Sequence, residues 1–520
     1  MSRLYLLCSC IMLFASMTHA SSAPQAKTRT GTVEGKTDGK VNAFLGIPYA
    51  APPVGELRWK APQPAAKWSG VRKANEFGNH CMQGNVFGDM VFHDPGASED
   101  CLTLNVWVPV RHESGKLPVM VWIYGGGFVA GTTSERRQDG SNLAQHGVIV
   151  VSMNYRLGIF GFLVHPELAK ESGHNSAGNY GLMDQLAALK WVRENIAAFG
   201  GDPENVTIFG ESAGSFSVSS QMASPLAKGL FQKAIGESGA AFSRSGLSYG
   251  SMAARAEKDT KLVTEKLGVS TLAELRAIPA DKLLEPFAPP KSHGFDFGPD
   301  IDGYFLPESV PAIFAAGKQN NVPLMAGWNR DEGSFEVENA QKPTADSMKE
   351  MAKKDFGDQA DEFLKLYPID TDQHVRRSAL DYAGDKFIAM STWDWIEAQS
   401  KTGKQPIYRY RFDQAHSWKD LNRPRTAYHS AEIEYVFGQL DSETEAEWTP
   451  GDRQLSDIMQ RYWSNFAKSA NPNGAGLPNW PMYTAADGWQ VMHLTPDPSA
   501  QKDNLRDRYL FLSKEWKPKE

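Results

Sequence analysis

The chain has 520 residues, of which 41% are hydrophobic and 22% are charged, and its formal net charge is -7. A chain of this length and composition can bury a large core, and the lack of a basic excess argues against nucleic acid as a partner. The sequence contains no internal repeat of the kind that indicates a solenoid. It also contains no low-complexity tract or block of like charge that would indicate a disordered tail.

The first 20 residues, "MSRLYLLCSCIMLFASMTHA", are typical of a secretory signal. Arg3 precedes an apolar run, Leu4–Met17, and small residues lead up to Ala20. We therefore expect cleavage after Ala20 and a secreted or periplasmic protein, with one domain over 21–520. An uncleaved anchor is disfavoured because the run is short for a membrane span. The "LCSC" stretch at Leu7–Cys10 is disfavoured as a lipoprotein site because the apolar run continues past it. No other stretch predicts a membrane anchor.

Cleavage would remove Cys8 and Cys10 and leave Cys81 and Cys101. In an oxidising compartment such a pair predicts a disulfide. Two free buried thiols are the alternative.

Short apolar runs then alternate with longer helical patterns. The stretch Thr30–Ala50 predicts antiparallel edge strands joined by turns. Later runs predict buried strands at Leu117–Tyr124, Gly147–Tyr155, Asn205–Phe209, Val322–Trp328 and Pro406–Phe412. Uninterrupted apolar strands are expected where helices cover both faces of a sheet. The alternation predicts an α/β fold with a mostly parallel sheet.

The stretch Asn179–Gly200 has helical spacing, with Leu182, Leu186, Leu189, Val192 and Ile196 on one side. The segments Ala240–Ala316 and Gly333–Lys404 are mainly helical with loops. We interpret both as helical excursions over one edge of the sheet rather than separate domains.

The strand that ends in "WIYGGGF" leads into Gly125, Gly126 and Gly127. Adjacent glycines let backbone N–H groups turn toward a developing oxyanion. The spacing up to Ala130 also resembles a dinucleotide-binding loop. That loop needs an acidic residue at the end of the next strand, and "SMNYR" has none, so nucleotide binding is disfavoured.

Gly-x-Ser-x-Gly occurs twice, around Ser212 and around Ser248. A nucleophilic serine in this motif lies on a tight turn between a strand and a helix. Ser212 follows the strand "NVTIF" and precedes a helix-compatible stretch, whereas "GAAFSRSG" before Ser248 is no strand. Ser212 is therefore the candidate nucleophile. Ser238, in "AIGESGA", lacks the second glycine and is a candidate supporting residue.

Longer motifs identify a family resemblance. The chain resembles type-B carboxylesterases of the α/β-hydrolase fold, the group that includes p-nitrobenzyl esterases and cholinesterases. The matching motifs are "FLGIPYAAPPVGELRWKAPQP", "SEDCLTLNVW", "GGGF", "NYRLGIFGFL", "GGDPENVTIFGESAG", "NRDEGSF" and "HSAEIEYVFG". They occur in family order over nearly all of the mature chain. The resemblance implies a serine esterase acting on small-molecule esters through an acyl-enzyme, without cofactor or metal.

In this fold the nucleophile, the acid and the histidine follow one another in that order along the chain. Four histidines follow the acid segment and are therefore candidates: His374, His416, His429 and His493. The resemblance assigns the catalytic role to His429, which heads "HSAEIEYVFG". His429 and Glu432 also form H-x-x-E, but no further ligand cluster accompanies them, which disfavours zinc.

The acid is Asp331 or Glu332, and local physics does not choose between these neighbours. The resemblance assigns Glu332, and Asp331 is then expected to face the turn or solvent.

The resemblance also implies an oxyanion hole formed by the N–H groups of Gly126, Gly127 and Ala213. It implies two structural ion pairs, Arg58–Glu99 and Arg156–Asp184, for which solvated surface charges are the alternative.

Substrate preference is partly constrained by the sequence. A cholinesterase carries a tryptophan ten residues before the second disulfide cysteine, where its face binds a quaternary ammonium. Val91 holds that position here, and the surrounding stretch 84–97 contains no tryptophan. The segment "SHGFDFGPDIDG" resembles the family's acyl-pocket wall, in which Phe295 and Phe297 would limit acyl size, with core packing as the alternative. A catalytically silent adhesion or binding protein of the same fold is the alternative function, disfavoured because Ser212, Glu332 and His429 are all present.

Overall fold

A large mixed sheet organises the protein in the computed structural model, which describes residues 23–112, 115–244, 248–339 and 342–516. The predicted signal, with Cys8 and Cys10, lies outside the described residues. The strands are β1 (Gln25–Lys27), β2 (Thr32–Glu34), β3 (Lys36–Thr37), β4 (Val41–Pro48), β5 (Val71–Lys73), β6 (His80–Cys81), β7 (Ala97–Ser98), β8 (Thr103–Pro109), β9 (Leu117–Ile123), β10 (Ile149–Met153), β11 (Gly201–Glu211), β12 (Lys233–Glu237), β13 (Gly250–Ser251), β14 (Asp300–Ile301), β15 (Leu324–Asn329), β16 (Ile407–Phe412), β17 (Gln490–Leu494) and β18 (Ser499–Lys502).

The helices surround this sheet and connect its strands. They are α1 (Ser141–Ala144), α2 (Gly158–Phe162), α3 (Pro166–Glu171), α4 (Tyr180–Asn195), α5 (Ala213–Ala223), α6 (Met252–Leu267), α7 (Leu272–Ala277), α8 (Ala280–Leu284), α9 (Val310–Ala315), α10 (Ser334–Asn339), α11 (Ala345–Phe356), α12 (Ala360–Leu366), α13 (Asp372–Gly384), α14 (Met390–Thr402), α15 (Ile433–Phe437), α16 (Pro450–Ser469) and α17 (Arg506–Glu515). None of them, over the described ranges, is both long and apolar enough to cross a membrane.

The main sheet has the strand order β18-β17-β16-β15-β12-β11-β9-β10-β8-β4-β3. Neighbours from β10 to β17 are parallel, and the strands outside that block pair antiparallel. The central strands β10, β12 and β15 are buried along their whole length, which explains the apolar runs of β10 and β15. The parallel α/β prediction is confirmed.

Predicted boundaries shift by a few residues. The strand predicted at Asn205–Phe209 begins at Gly201 and continues to Glu211, directly before Ser212. The predicted edge strands at Thr30–Ala50 divide between two sheets, because β2 pairs with β1 and β5 while β3 and β4 join the main sheet. Helix α4 is buried on nearly every side, since it packs against both β11 and the neighbouring helices.

Three cross-links hold the loops around the sheet. Cys81 and Cys101 are joined by a disulfide. Arg58 contacts Glu99 through two hydrogen bonds of 2.7 and 2.6 Å and also donates to the Ile278 carbonyl at 2.7 Å. A second bidentate pair, between Arg156 and Asp184, has two contacts of 2.7 Å. All four charged side chains are largely buried, so the solvated-surface alternative is wrong.

Candidate active site

Ser212 lies on a strained turn between β11 and α5. Its backbone has φ 53° and ψ -122°, a region that non-glycine residues rarely adopt and that costs about 1–3 kcal/mol. A Cβ atom at Gly210 would lie 2.6 Å from the Ile123 carbonyl oxygen, and one at Gly214 would lie 1.9 Å from it. The motif glycines are therefore required, because the turn packs directly against strand β9.

The glycine loop after β9 lies beside this turn. Gly126 and Gly127 adopt positive φ angles of 99° and 63°. Over the described part of the chain, the N–H groups of Gly126, Gly127 and Ala213 donate to no other group. They therefore remain available to an incoming oxygen.

Glu332 and His429 contact each other directly. Glu332 follows β15, His429 lies in the loop before α15, and Glu332 Oε2 is 2.6 Å from His429 Nδ1. The other carboxylate oxygen accepts hydrogen bonds from the Asn329 N–H at 2.7 Å and from Ser238 Oγ at 2.5 Å. Glu332 is thus buried and held from both sides, and it orients the imidazole.

Asp331 points away from the imidazole, but the expectation that it faces the turn or solvent is wrong. Its side chain is buried. It accepts hydrogen bonds from Arg377 at 2.6 Å and from the Ala427 N–H at 2.8 Å. Although burial opposes the change, contacts with Arg330 and Arg377 lower the pKa of Asp331. Asp331 therefore anchors the loop that leads to His429.

Two further carboxylates surround the imidazole, and sequence reasoning assigned neither a role in the site. Glu211 Oε1 lies 3.2 Å from His429 Nε2. Glu432 accepts a hydrogen bond from Asn329 Nδ2 at 2.5 Å and one from Ser238 Oγ at 3.4 Å. The signal for Glu211 was present, since a glutamate ending a buried strand next to Ser212 must lie within the site. Glu432 was considered only as a zinc ligand.

The carboxylates and the imidazole of this cluster shift one another's pKa values. Burial raises the pKa of Glu211, although His429 opposes that change. Burial lowers the pKa of His429, but Glu211 and Glu332 outweigh it and raise the value to about 9. Among the described residues Ser212 and His429 share no hydrogen bond, and His429 Nε2 faces Glu211. Because Glu211 directly precedes Ser212, the imidazole still lies against the turn.

The remaining histidines of the sequence analysis lie elsewhere. His374 pairs with Asp370 at 2.7 Å on the surface, and His493 pairs with Asp413 at 2.6 Å. His416 is buried, and burial lowers its pKa to about 4.

One cavity borders the Ser212 turn, and a second lies near the glycine loop. One has a volume of about 140 Å³, and its lining includes Ser212, Gly127, Ser248, Phe295 and Phe297. Phe295 is exposed there, whereas Phe297 is also in edge contact with Phe287 at a ring distance of 5.1 Å. Phe297 therefore lines the cavity wall and also packs in the core. The second cavity, about 300 Å³, is lined mainly by residues of the disulfide loop, including Phe87 and Met90.

Comparisons with known proteins agree on one family. The family model described as "Carboxylesterase family" matches residues 22–511. The chain is 39% identical over 472 residues to the para-nitrobenzyl esterase of Bacillus subtilis (strain 168), covering 88% of this chain and 92% of that protein. It is 37% identical over 467 residues to the fumonisin B1 esterase of Sphingopyxis macrogoltabida, covering 88% and 84%. A solved PNB esterase structure matches with a TM-score of 0.79 at 35% identity, covering 95% of this chain and 99% of that one. The fold is thus the predicted α/β-hydrolase fold.

Proposed function

The chain belongs to the carboxylesterase family and is a carboxylic ester hydrolase, and from this premise we propose that it works through a Ser212–His429–Glu332 triad and an acyl-enzyme. The observation that carries the proposal is the 2.6 Å contact between Glu332 Oε2 and His429 Nδ1 beside the strained Ser212 turn. A carboxylate in that position selects the imidazole tautomer whose Nε2 can accept a proton.

In the first half of the reaction, Ser212 Oγ attacks the ester carbonyl carbon while His429 Nε2 takes the hydroxyl proton. The resulting oxyanion accepts hydrogen bonds from the N–H groups of Gly126, Gly127 and Ala213, which have no other acceptor among the described residues. The carbon–oxygen bond to the alcohol then breaks, and His429 returns the proton to the leaving alcohol. The products of this half are the alcohol and an ester on Ser212.

In the second half, water replaces the alcohol. His429 takes a proton from the water, the hydroxide attacks the acyl carbon, and the bond to Ser212 Oγ breaks with return of the proton to Oγ. The net reaction consumes one ester and one water and yields a carboxylic acid and an alcohol. Hydrogen bonds from Ser238 and Asn329 to Glu332 hold the carboxylate in place through both halves.

We further propose that residues 1–20 direct export and that the single catalytic domain 21–520 acts outside the cytoplasm. The Cys81–Cys101 disulfide supports this proposal, because structural disulfides form and persist in oxidising compartments. Mass analysis of the protein purified from culture medium or periplasm would measure the mature N-terminus. A mature chain that retains residues 1–20 would contradict the proposal.

The test of the triad compares the two serines in the sequence motif. A fluorophosphonate probe reacts with activated serines, so it should label the Ser212 peptide of the wild-type protein and leave the Ser248 peptide unlabelled. Ser212→Ala should abolish p-nitrophenyl acetate hydrolysis, while Ser248→Ala should stay within a few-fold of wild type. Circular dichroism of both variants checks folding. If folded Ser248→Ala lost activity and labelling while Ser212→Ala kept both, the assignment would be overturned. A wild-type protein that is unlabelled and inactive would favour a catalytically silent binding protein.

A further inference from the structure

The cavity of about 140 Å³ beside Ser212 contains two cationic side chains, Arg255 and Lys258. Most of its other side chains are aromatic, among them Phe216, Phe295 and Phe297. In an apolar pocket a few polar groups set which ligand is bound and in what orientation. The two cations are therefore the groups in this wall that can discriminate between charged and neutral substrates.

Arg255 has unused hydrogen-bonding capacity. Its side chain is only 14% exposed, and its one ion-pair contact within the described ranges joins Nη2 to Asp259 Oδ2 at 3.5 Å, the outer limit of a hydrogen bond. Its Nε atom is buried without a partner among the residues that the structure describes. A guanidinium offers five N–H donors, and leaving a buried donor unpaired is costly. Arg255 is thus a buried donor group beside an open cavity.

Lys258 lies one turn further along α6 and faces the same cavity, as expected for residues three apart on a helix. Its ammonium donates to the Asp296 carbonyl at 3.1 Å, which leaves two of its three N–H donors for another acceptor. Lys258 is more exposed than Arg255. Since solvent screens exposed charges, its contribution to binding should be the smaller one.

One carboxylate, Asp259, contacts Arg255, and a second, Asp300, is buried nearby. Asp259 and Asp300 are fully buried, and neither lines the cavity. Asp259 also accepts the Val164 N–H at 3.0 Å, which fixes its position. The contact with Asp259 engages Nη2 alone, and the cavity that Arg255 lines is bordered by neither carboxylate.

We propose that the enzyme prefers esters that carry a second, free carboxylate on the half entering this cavity, where Arg255 binds it and Lys258 assists. The inference rests on the proposed role of Ser212, because the cavity is defined by its position beside that residue. Planar guanidinium groups pair with carboxylates through two parallel hydrogen bonds. A carboxamide in the same place would supply one neutral acceptor in place of two charged oxygens, and its transition state would therefore be bound less well.

The experiment compares two matched pairs of esters. Monomethyl glutarate and methyl 4-carbamoylbutanoate differ only by a carboxylate or a carboxamide on the acyl half. In the second pair, 3-acetoxypropanoate and 3-acetoxypropanamide, the same difference is on the alcohol half. Released methanol or acetate gives kcat/KM for wild type, Arg255→Met, Arg255→Lys and Lys258→Met.

Wild type should favour the carboxylate over the amide in one pair by roughly 10- to 100-fold, the range of one charge-assisted contact. Arg255→Met should abolish most of that preference, Arg255→Lys should retain part of it, and Lys258→Met should reduce it a few-fold. The preference is a ratio within one variant, so it is unaffected by partial misfolding. If Arg255→Met yields no folded protein, Arg255→Lys and Lys258→Met still measure how the preference depends on these two side chains.

Equal rates on carboxylate and amide in both pairs, or a preference that survives in the Arg255→Met/Lys258→Met double variant, would overturn the proposal. The pair that shows the preference identifies which half of the ester enters the cavity. A different result would overturn the triad instead, namely Ser212→Ala with wild-type activity on p-nitrophenyl acetate. The two failures are therefore distinguishable.

Discussion

Replacing Glu211 by Gln should shift the pH dependence of catalysis to lower pH. Glu211 Oε1 lies 3.2 Å from His429 Nε2, and Glu211 and Glu332 together raise the pKa of His429 to about 9 against the effect of burial. An imidazole accepts a proton only when it is neutral, so kcat/KM should rise with pH through that pKa. Removing an anion that stabilises the imidazolium lowers the pKa, and an opposite charge at this distance is worth about 1–3 pH units.

The assay is kcat/KM for p-nitrophenyl acetate from about pH 5 to 10 at constant ionic strength, with the Ser212→Ala rate subtracted as background. The matched control is Glu237→Gln. Glu237 is the register partner of Glu211 on the next strand and accepts the Trp463 N–H at 2.7 Å. Among the described residues no hydrogen bond or ion pair joins Glu237 to His429, so its replacement should leave the profile unchanged. A Glu211→Gln profile that coincides with wild type, or an equal shift in the control, would refute the reasoning.

Three further predictions test the geometry. Glu332→Gln should lower kcat by up to about 10⁴-fold. Asp331→Asn should lower the unfolding temperature in calorimetry but leave kcat per folded molecule near wild type. A large loss of kcat in Asp331→Asn with near-normal kcat in Glu332→Gln would contradict the assignment. Cys81→Ser should cost about 3 kcal/mol of stability in the chain-entropy model for a sequence separation of 20, measured as a lower midpoint in denaturant. Gly214→Ala should lose activity and destabilise the fold by about 1–3 kcal/mol, because its Cβ would lie 1.9 Å from a carbonyl oxygen. The control is Gly250→Ala, whose Cβ would have its nearest contact at 3.6 Å. It should match wild type in activity and in stability.

Much of the site was accessible from local sequence. The strand–turn–helix context separated Ser212 from Ser248, because a buried strand, a serine between two glycines and a helix follow one another directly in the chain. The apolar runs also predicted the parallel sheet, since burial on both faces leaves no polar alternation. The family resemblance added Glu332 and His429, which local patterns did not distinguish from Asp331 or from the other histidines.

The sequence by itself thus determined the class of fold, the strands and the turn that carries Ser212, because all of these depend on neighbouring residues. Only the tertiary structure decided that Glu332 faces His429 while Asp331 faces Arg377, since two adjacent side chains diverge according to what packs around them. The same holds for the contact of Glu211 with the His429 imidazole and for the position of Arg255 beside Ser212. These contacts join residues far apart in the chain, and their charges depend on burial, which no local pattern encodes.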